Sequence, residues 1–180
     1  MNRKLFDYIR HQFRLDLYGV HGIPHWSRVL YFGLKIAKKE NARLDVVTLF
    51  SILHDSQRAP LHHPLRGSDK NDSAHGERAV AFARNLRGEF FDLDDDGFEL
   101  LCEALALHSN GLTVADVTVQ TCWDADRLDL GRVGIYPDAQ FLCTNTALNK
   151  LKDIGILEQA EKQRNRIFIA TEVIALLNAD

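Results

Sequence analysis

The sequence predicts an all-α fold, a helical bundle, on three observations. Six segments carry apolar residues at three- and four-residue steps, the period of a helix with one buried face. Helix-start residues stand where those segments begin: Pro24 just before the second, then Asp45, Ser73, and Asp95 or Asp96. The 180 residues, 46% hydrophobic and 26% charged, suit one globular domain with a small appendage, long enough to bury a core without disulfides. Collagen-like repeats, disorder and coiled-coil arrays are excluded by composition, and no internal repeat or low-complexity stretch is present.

Taken in order, the predicted helices are 2–14, 25–40, 45–57, 73–87, 97–109 and 118–131. The first has His11 at an exposed position. In the second, His25 shares a face with Val29, Phe32 and Ile36. In the third, His54 ends the stripe of Val47 and Phe50, with Asp55 beside it. His75 leads Ala79, Phe82 and Leu86 in the fourth, and His108 closes Leu101, Ala104 and Leu105 in the fifth. Asp126 lies between Val119, Trp123 and Leu130 in the sixth. Two loops interrupt the pattern: Tyr18–Pro24, and Arg58–Asp72, which is rich in Pro, His, Gly and Asp. A loop as long as the second is often functional in a compact helical domain.

The character changes after Pro137. Thr144–Asp153 reads as a helix that Gly155 breaks. Ile156-Leu157 and Ile167–Ala170 read as short strands around a polar turn, a small C-terminal β-hairpin, followed by a last helix from Thr171 to Asn178. The expected organisation is a main domain over 1–143 and an appendage over 144–180.

A net charge of −3 speaks against a dedicated nucleic-acid binder. Three cysteines without a CxxC pair read as reduced thiols and point to a cytoplasmic protein. The N-terminal residues show no secretory signal, because Asp7, Arg10 and His11 interrupt any apolar stretch. The longest nearly apolar run, Val46 to Leu53, is too short to span a bilayer, so no membrane partner is expected.

Five helices thus each direct an ionisable group inward. One such histidine would be an ordinary satisfied core residue. Several imidazoles and two carboxylates buried without partners would cost roughly 2–7 kcal/mol for each unpaired group. A shared divalent metal centre removes that cost for all of them. Imidazole and carboxylate suit Mn, Fe, Co, Ni or Zn, with no thiolate required.

The order His25, His54-Asp55, His75, His108, Asp126 resembles the HD superfamily of metal-dependent phosphohydrolases. The contexts HGIPHWSRV, LFSILHDSQR and CWDADRLDLGRVGI carry the likeness, which covers about residues 15–143. The resemblance implies the HD-domain helical bundle. It also implies that His25, His54, Asp55 and Asp126 hold one metal, and that His75 and His108 hold a second, bridged by Asp55. Asp126 is preferred over Asp124 by its Ala-Asp-Arg-Leu context and its place on the apolar stripe.

The activity so implied is hydrolysis of a small phosphoester, most simply a nucleotide, by metal-activated water. Asp55 and Arg58 are the expected catalytic residues. Arg28, Arg66, Lys70, Arg78, Arg127 and Arg132 are further candidates for a phosphate clamp, though each reads better as a surface or ion-pair residue. Asp129 could orient Arg127 or a metal ligand, and His21 could stand behind the ligands. His62 and His63 read as solvated loop residues. Two alternatives share the pattern: a di-iron oxygenase of the same superfamily, and a non-catalytic regulatory or DNA-associated HD domain. The expected partners are a phosphorylated small molecule and, as an open option, a second copy of the chain.

Two further motifs compete for notice. Asp92 to Glu103 has EF-hand spacing, but Glu99 stands where an apolar residue belongs, and the acidic run reads better as a loop capping the next helix. Thr144–Asn178 resembles part of a winged-helix module but is only mildly basic, which favours packing or self-association over DNA contact.

Overall fold

The computed structural model describes residues 3–158, with side chains to Leu151. Seven α-helices follow one another: α1 (Arg3–Gln12), α2 (Ile23–Glu40), α3 (Leu44–Leu53), α4 (His75–Leu86), α5 (Asp95–Leu107), α6 (Val117–Arg127) and α7 (Asn145–Glu158). Short 3-10 helices span Leu130–Val133 and Ala139–Phe141. No strand occurs among the described residues, so the architecture there is all-α. No described helix is long and apolar enough to cross a membrane.

Helix α2 is the axis of the bundle. Its 18 residues pack against α3, α6 and α7, while α5 lies on α3, α4 and α6. Trp26, Val29 and Ile36 of α2 are buried together with Phe50 and Leu53 of α3, Leu101 and Leu105 of α5, and Trp123 of α6. Each such side chain contributes on the order of 2 kcal/mol by leaving water. The same stripes carry the histidines into this core.

Most helix ends fall within a residue or two of the predicted ones, but the caps shift. Asp94, rather than Asp95 or Asp96, caps α5 by accepting from Gly97 N. Arg43 precedes α3 and places Asp45 in its first turn; Ala74 precedes α4. Ser73 donates its hydroxyl to Asp69 instead of capping. Helix α3 ends at Leu53, short of the predicted 57, so His54 and Asp55 sit at the start of the following turn.

The predicted break at Gly155 and strand at Ile156-Leu157 are not found, because α7 continues through both to Glu158. One glycine costs only about 1 kcal/mol in a helix interior, too little to end a helix by itself. The early part of the predicted appendage belongs to the bundle, with Ala147 and Leu151 buried and Thr146 N donating to Glu40 of α2. The predicted strand at 167–170 and last helix at 171–178 lie outside the described residues.

Two close approaches need glycine. A Cβ on Gly22, before α2, would fall 2.1 Å from the Leu17 carbonyl oxygen; one on Gly76 would fall 2.6 Å from the Leu105 carbonyl oxygen. Gly76 follows His75 directly, and Leu105 accepts from His108, so this contact sets the spacing of both histidines. Gly76→Ala is expected to destabilise the protein by about 1–3 kcal/mol through forced separation of α4 and α5. Chemical denaturation would measure it, and an unchanged midpoint would mean that the helices adjust freely.

Candidate metal centre

The ends of five helices converge on one buried point. His25 lies in the first turn of α2 and His75 opens α4, whereas His54 and His108 are the capping residues after α3 and α5. Asp126 is in the last turn of α6. His25, His54, Asp55 and His75 are at most 1% exposed and His108 is 4% exposed. The Asp126 side chain is 14% exposed.

Each imidazole is held by its Nδ1. Those of His54, His75 and His108 donate to the main-chain carbonyls of Phe50 (3.1 Å), Asp72 (2.7 Å) and Leu105 (2.8 Å). His25 Nδ1 donates to the Asp129 carboxylate at 2.8 Å. A carbonyl or carboxylate oxygen only accepts, so the proton of each neutral ring sits on Nδ1 and Nε2 presents a bare lone pair. Yet the Nε2 atoms meet in pairs, His25 with His54 at 2.9 Å and His75 with His108 at 2.8 Å. Two lone pairs at that distance repel unless a proton or a metal ion lies between them.

Asp55 stands between the pairs and gives one oxygen to each. Its Oδ2 is 3.5 Å from His25 Nε2 and 3.8 Å from His54 Nε2. Its Oδ1 is 3.4 Å from His75 Nε2 and 3.9 Å from His108 Nε2. Asp126 Oδ1 lies 3.3 Å from His25 Nε2 and 3.9 Å from His54 Nε2, buried and without a hydrogen-bond partner. Ligand atoms about 2.1 Å from a common ion stand roughly 3.0–3.4 Å apart; the separations here, 2.8–3.9 Å, bracket that spacing. His25, His54 and Asp55 form one group that could hold an ion, and Asp55, His75 and His108 form a second. The residues present fit a divalent metal at both, with Asp126 added to the first.

The surrounding charges suit the same end. His21 Nδ1 donates to Asp55 Oδ2 at 2.8 Å and Arg58 Nε to Asp55 Oδ1 at 2.6 Å. Burial alone would raise the Asp55 pKa, but His54, His21, His75 and Arg58 hold it well below the usual carboxylate range. Asp126 is likewise lowered against its burial by His25, His54 and Arg132. Burial pushes His54 down to about 3 and His108 down to about 4, each helped by a neighbouring imidazole. For His25, burial is outweighed by the carboxylates of Asp126 and Asp129 beside it, and its pKa rises. At neutral pH His54 and His108 are therefore neutral and the carboxylates are charged, the protonation state that metal ligands require.

Other candidates have different work. Asp124 turns away and accepts from Cys143 N, Thr144 N and the Thr144 hydroxyl, fixing the entry to α7. Arg66 donates to the carbonyls of Asp69, Ala59 and Lys70; Arg78 to those of Gln57 and Leu65 and to Asp72; Arg127 to those of Phe141 and Leu112. These three arginines hold loops and leave the predicted phosphate clamp. Lys70 is exposed in the loop. Asp129 orients His25 and not Arg127. The EF-hand spacing dissolves, because the nine residues from Asp95 to Glu103 are already helical.

The sequence reading missed Asp72. This residue has a left-handed backbone (φ 53°), gives its carbonyl to His75, and accepts Ala59 N and Arg78 at its carboxylate. The clue was there: Asn and Asp tolerate that conformation, and NDS precedes His75.

No family model, curated protein or solved structure matches the chain. The chemistry of the cluster therefore carries the functional reading.

Chelator-treated protein should lose stability on acidification. His54 and His108 have depressed pKa values in the fold, so below about pH 6.5 the unfolded chain takes up protons that the folded one refuses. Their stabilisation is present above that pH and fades as pH falls toward 4; the raised pKa of His25 offsets part of it. The melting temperature should drop on the order of 5 °C between pH 7 and 5.5. A melting temperature that rises over this interval would contradict the assigned protonation states.

Proposed function

We propose that this chain is a metal-dependent phosphohydrolase of the HD type, acting on a small phosphoester with a nucleotide as the leading class. The observation that carries the proposal is the pairing of four buried Nε2 lone pairs around the shared carboxylate of Asp55. When bound there, divalent ions supply a water acidic enough to act as nucleophile near neutral pH and offset charge on phosphate oxygens.

The groups at the edge of the cluster favour an anionic substrate. Arg58, Arg28 and Arg132 keep 17%, 15% and 9% of their side chains exposed, and His21 keeps 25%. Arg58 is poised to meet a phosphate oxygen, since its Nε is fixed on Asp55 and its Nη1 on the Asn71 carbonyl. Asp55 orients Arg58 and His21 while dividing its two oxygens between the half-sites. His25, His54, His75, His108 and Asp126 are the remaining ligands. An oxygenase would have less use for a rim of guanidinium groups.

Elemental analysis of the purified protein, paired with a panel of nucleotides and simple phosphoesters, tests the reading. Phosphate release that depends on added Mn, Co, Ni or Zn is expected. Asp55→Ala should strip the metal and lower turnover by at least about a hundredfold while the helical circular dichroism persists. Full metal content in that variant would show that the ligands are misassigned. Iron with oxygen consumption and no phosphate release would support the di-iron oxygenase reading instead.

A further inference from the structure

We propose that Asp129 is a positioning residue that fixes His25 and makes the His25–His54–Asp126 half-site the tighter of the two. This rests on the metal-binding reading of the cluster and adds an order to it. Of the four imidazoles, three rest their Nδ1 on main-chain carbonyls and only His25 rests on a carboxylate. A carbonyl orients the ring. A carboxylate also pulls on the Nδ1 proton and strengthens Nε2 as a donor to a metal.

The support for Asp129 is built in. Its side chain is 7% exposed, and Arg28 grips it at both oxygens, Nε to Oδ1 at 2.5 Å and Nη2 to Oδ2 at 3.0 Å. Arg132 Nε stands 4.0 Å from Oδ2. Arg28 follows His25 by three residues and Asp129 follows Asp126 by three, so two chain segments each present a ligand and, one turn on, a residue that reaches across to the other segment: Asp129 to His25, and Arg28 to Asp129. The guanidinium holds the carboxylate where it faces His25 and offsets the cost of its burial.

The half-sites differ in charge as well. The His25 half-site owns Asp126, whose inward oxygen has no hydrogen-bond partner and stands 3.6 Å from Arg132 Nη2, besides the Asp55 oxygen that Arg58 does not bind. The His75 half-site has only its share of Asp55. A divalent ion is expected to enter the His25 half-site first and to leave it last.

The test is competition of the full-length protein against a chromophoric chelator, with Co(II) as the probe metal and its visible spectrum as a second readout. Wild-type protein should bind two ions of unequal affinity. Asp129→Asn keeps an acceptor for Nδ1 but removes the charge, and should weaken the tighter ion roughly 10- to 100-fold with the weaker ion unchanged. The Co(II) spectrum of the first-bound ion should change with it. Equal weakening of both ions, or a lower melting temperature of the chelated protein with both affinities intact, would reduce Asp129 to a structural role and overturn the proposal. If Asp129→Asn does not fold, Arg28→Gln, which loosens the carboxylate without removing it, must weaken the same ion by a smaller factor; no change would also overturn it. A wild-type protein that binds no divalent ion would overturn the metal reading itself, whereas binding with no effect of either variant overturns only the role of Asp129.

Discussion

Four histidines that all turn their Nδ1 protons outward cannot keep their Nε2 atoms 2.8–2.9 Å apart without a positive charge nearby. Everything else about the bundle serves or tolerates that constraint. In an ordinary core a buried imidazole donates with one nitrogen and accepts with the other. Here the outward nitrogen of each ring is satisfied by the fold and the inward one is not, and the same happens four times around one carboxylate. A fold selected only for stability would replace such residues with apolar ones of similar volume.

The helices explain how the geometry is reached. The ligands stand at or next to helix ends. Placing them at helix ends lets chains arrive at a point. It also brings free main-chain carbonyls, since the last turn of a helix leaves these without helical partners, and Leu105 gives its oxygen to His108 in this way. The negative ends of α3, α5 and α6 face the cluster and outnumber the positive ends of α2 and α4 there. Glycine at 22 and 76 lets the chain approach closely enough to bring His25 and His75 into line. The long loop between α3 and α4 is held from within by Arg66 and Arg78, and its last turn at Asp72 delivers a carbonyl to His75.

Much of this was legible in the sequence, because an apolar stripe reports which face of a helix is buried and therefore where His25, His54, His75, His108 and Asp126 must point. What periodicity cannot report is which residues support them. Asp129 and Asp124 lie in the same short acidic run, yet one faces a histidine and the other caps the entry to α7, a difference set by the turn after α6. For Arg66, Arg78 and Arg127 the sequence leaves a phosphate role open beside an ion-pair one, because a guanidinium serves a carbonyl and a phosphate equally well. Only the path of the loop decides between them. Gly155 misled for a related reason: its intrinsic cost is small beside the hydrogen bonds of the helix around it.

Charge balance ties the ligand set to the kind of molecule it could receive. Three carboxylates, Asp55, Asp126 and Asp129, meet three guanidiniums, Arg58, Arg132 and Arg28, within the cluster and its rim. The three ion pairs already compensate one another, so the ensemble does not need metal merely to neutralise acid groups. Divalent ions would leave it strongly positive in a buried, low-dielectric setting, where uncompensated charge is costly. An anion arriving from the side of Arg58, His21 and Asp126, the members that reach solvent, relieves that excess and is drawn in by it. On the proposed reading, a phosphoester dianion would answer the requirement better than a neutral alcohol or sugar, and the argument rests on the arginines as much as on the histidines.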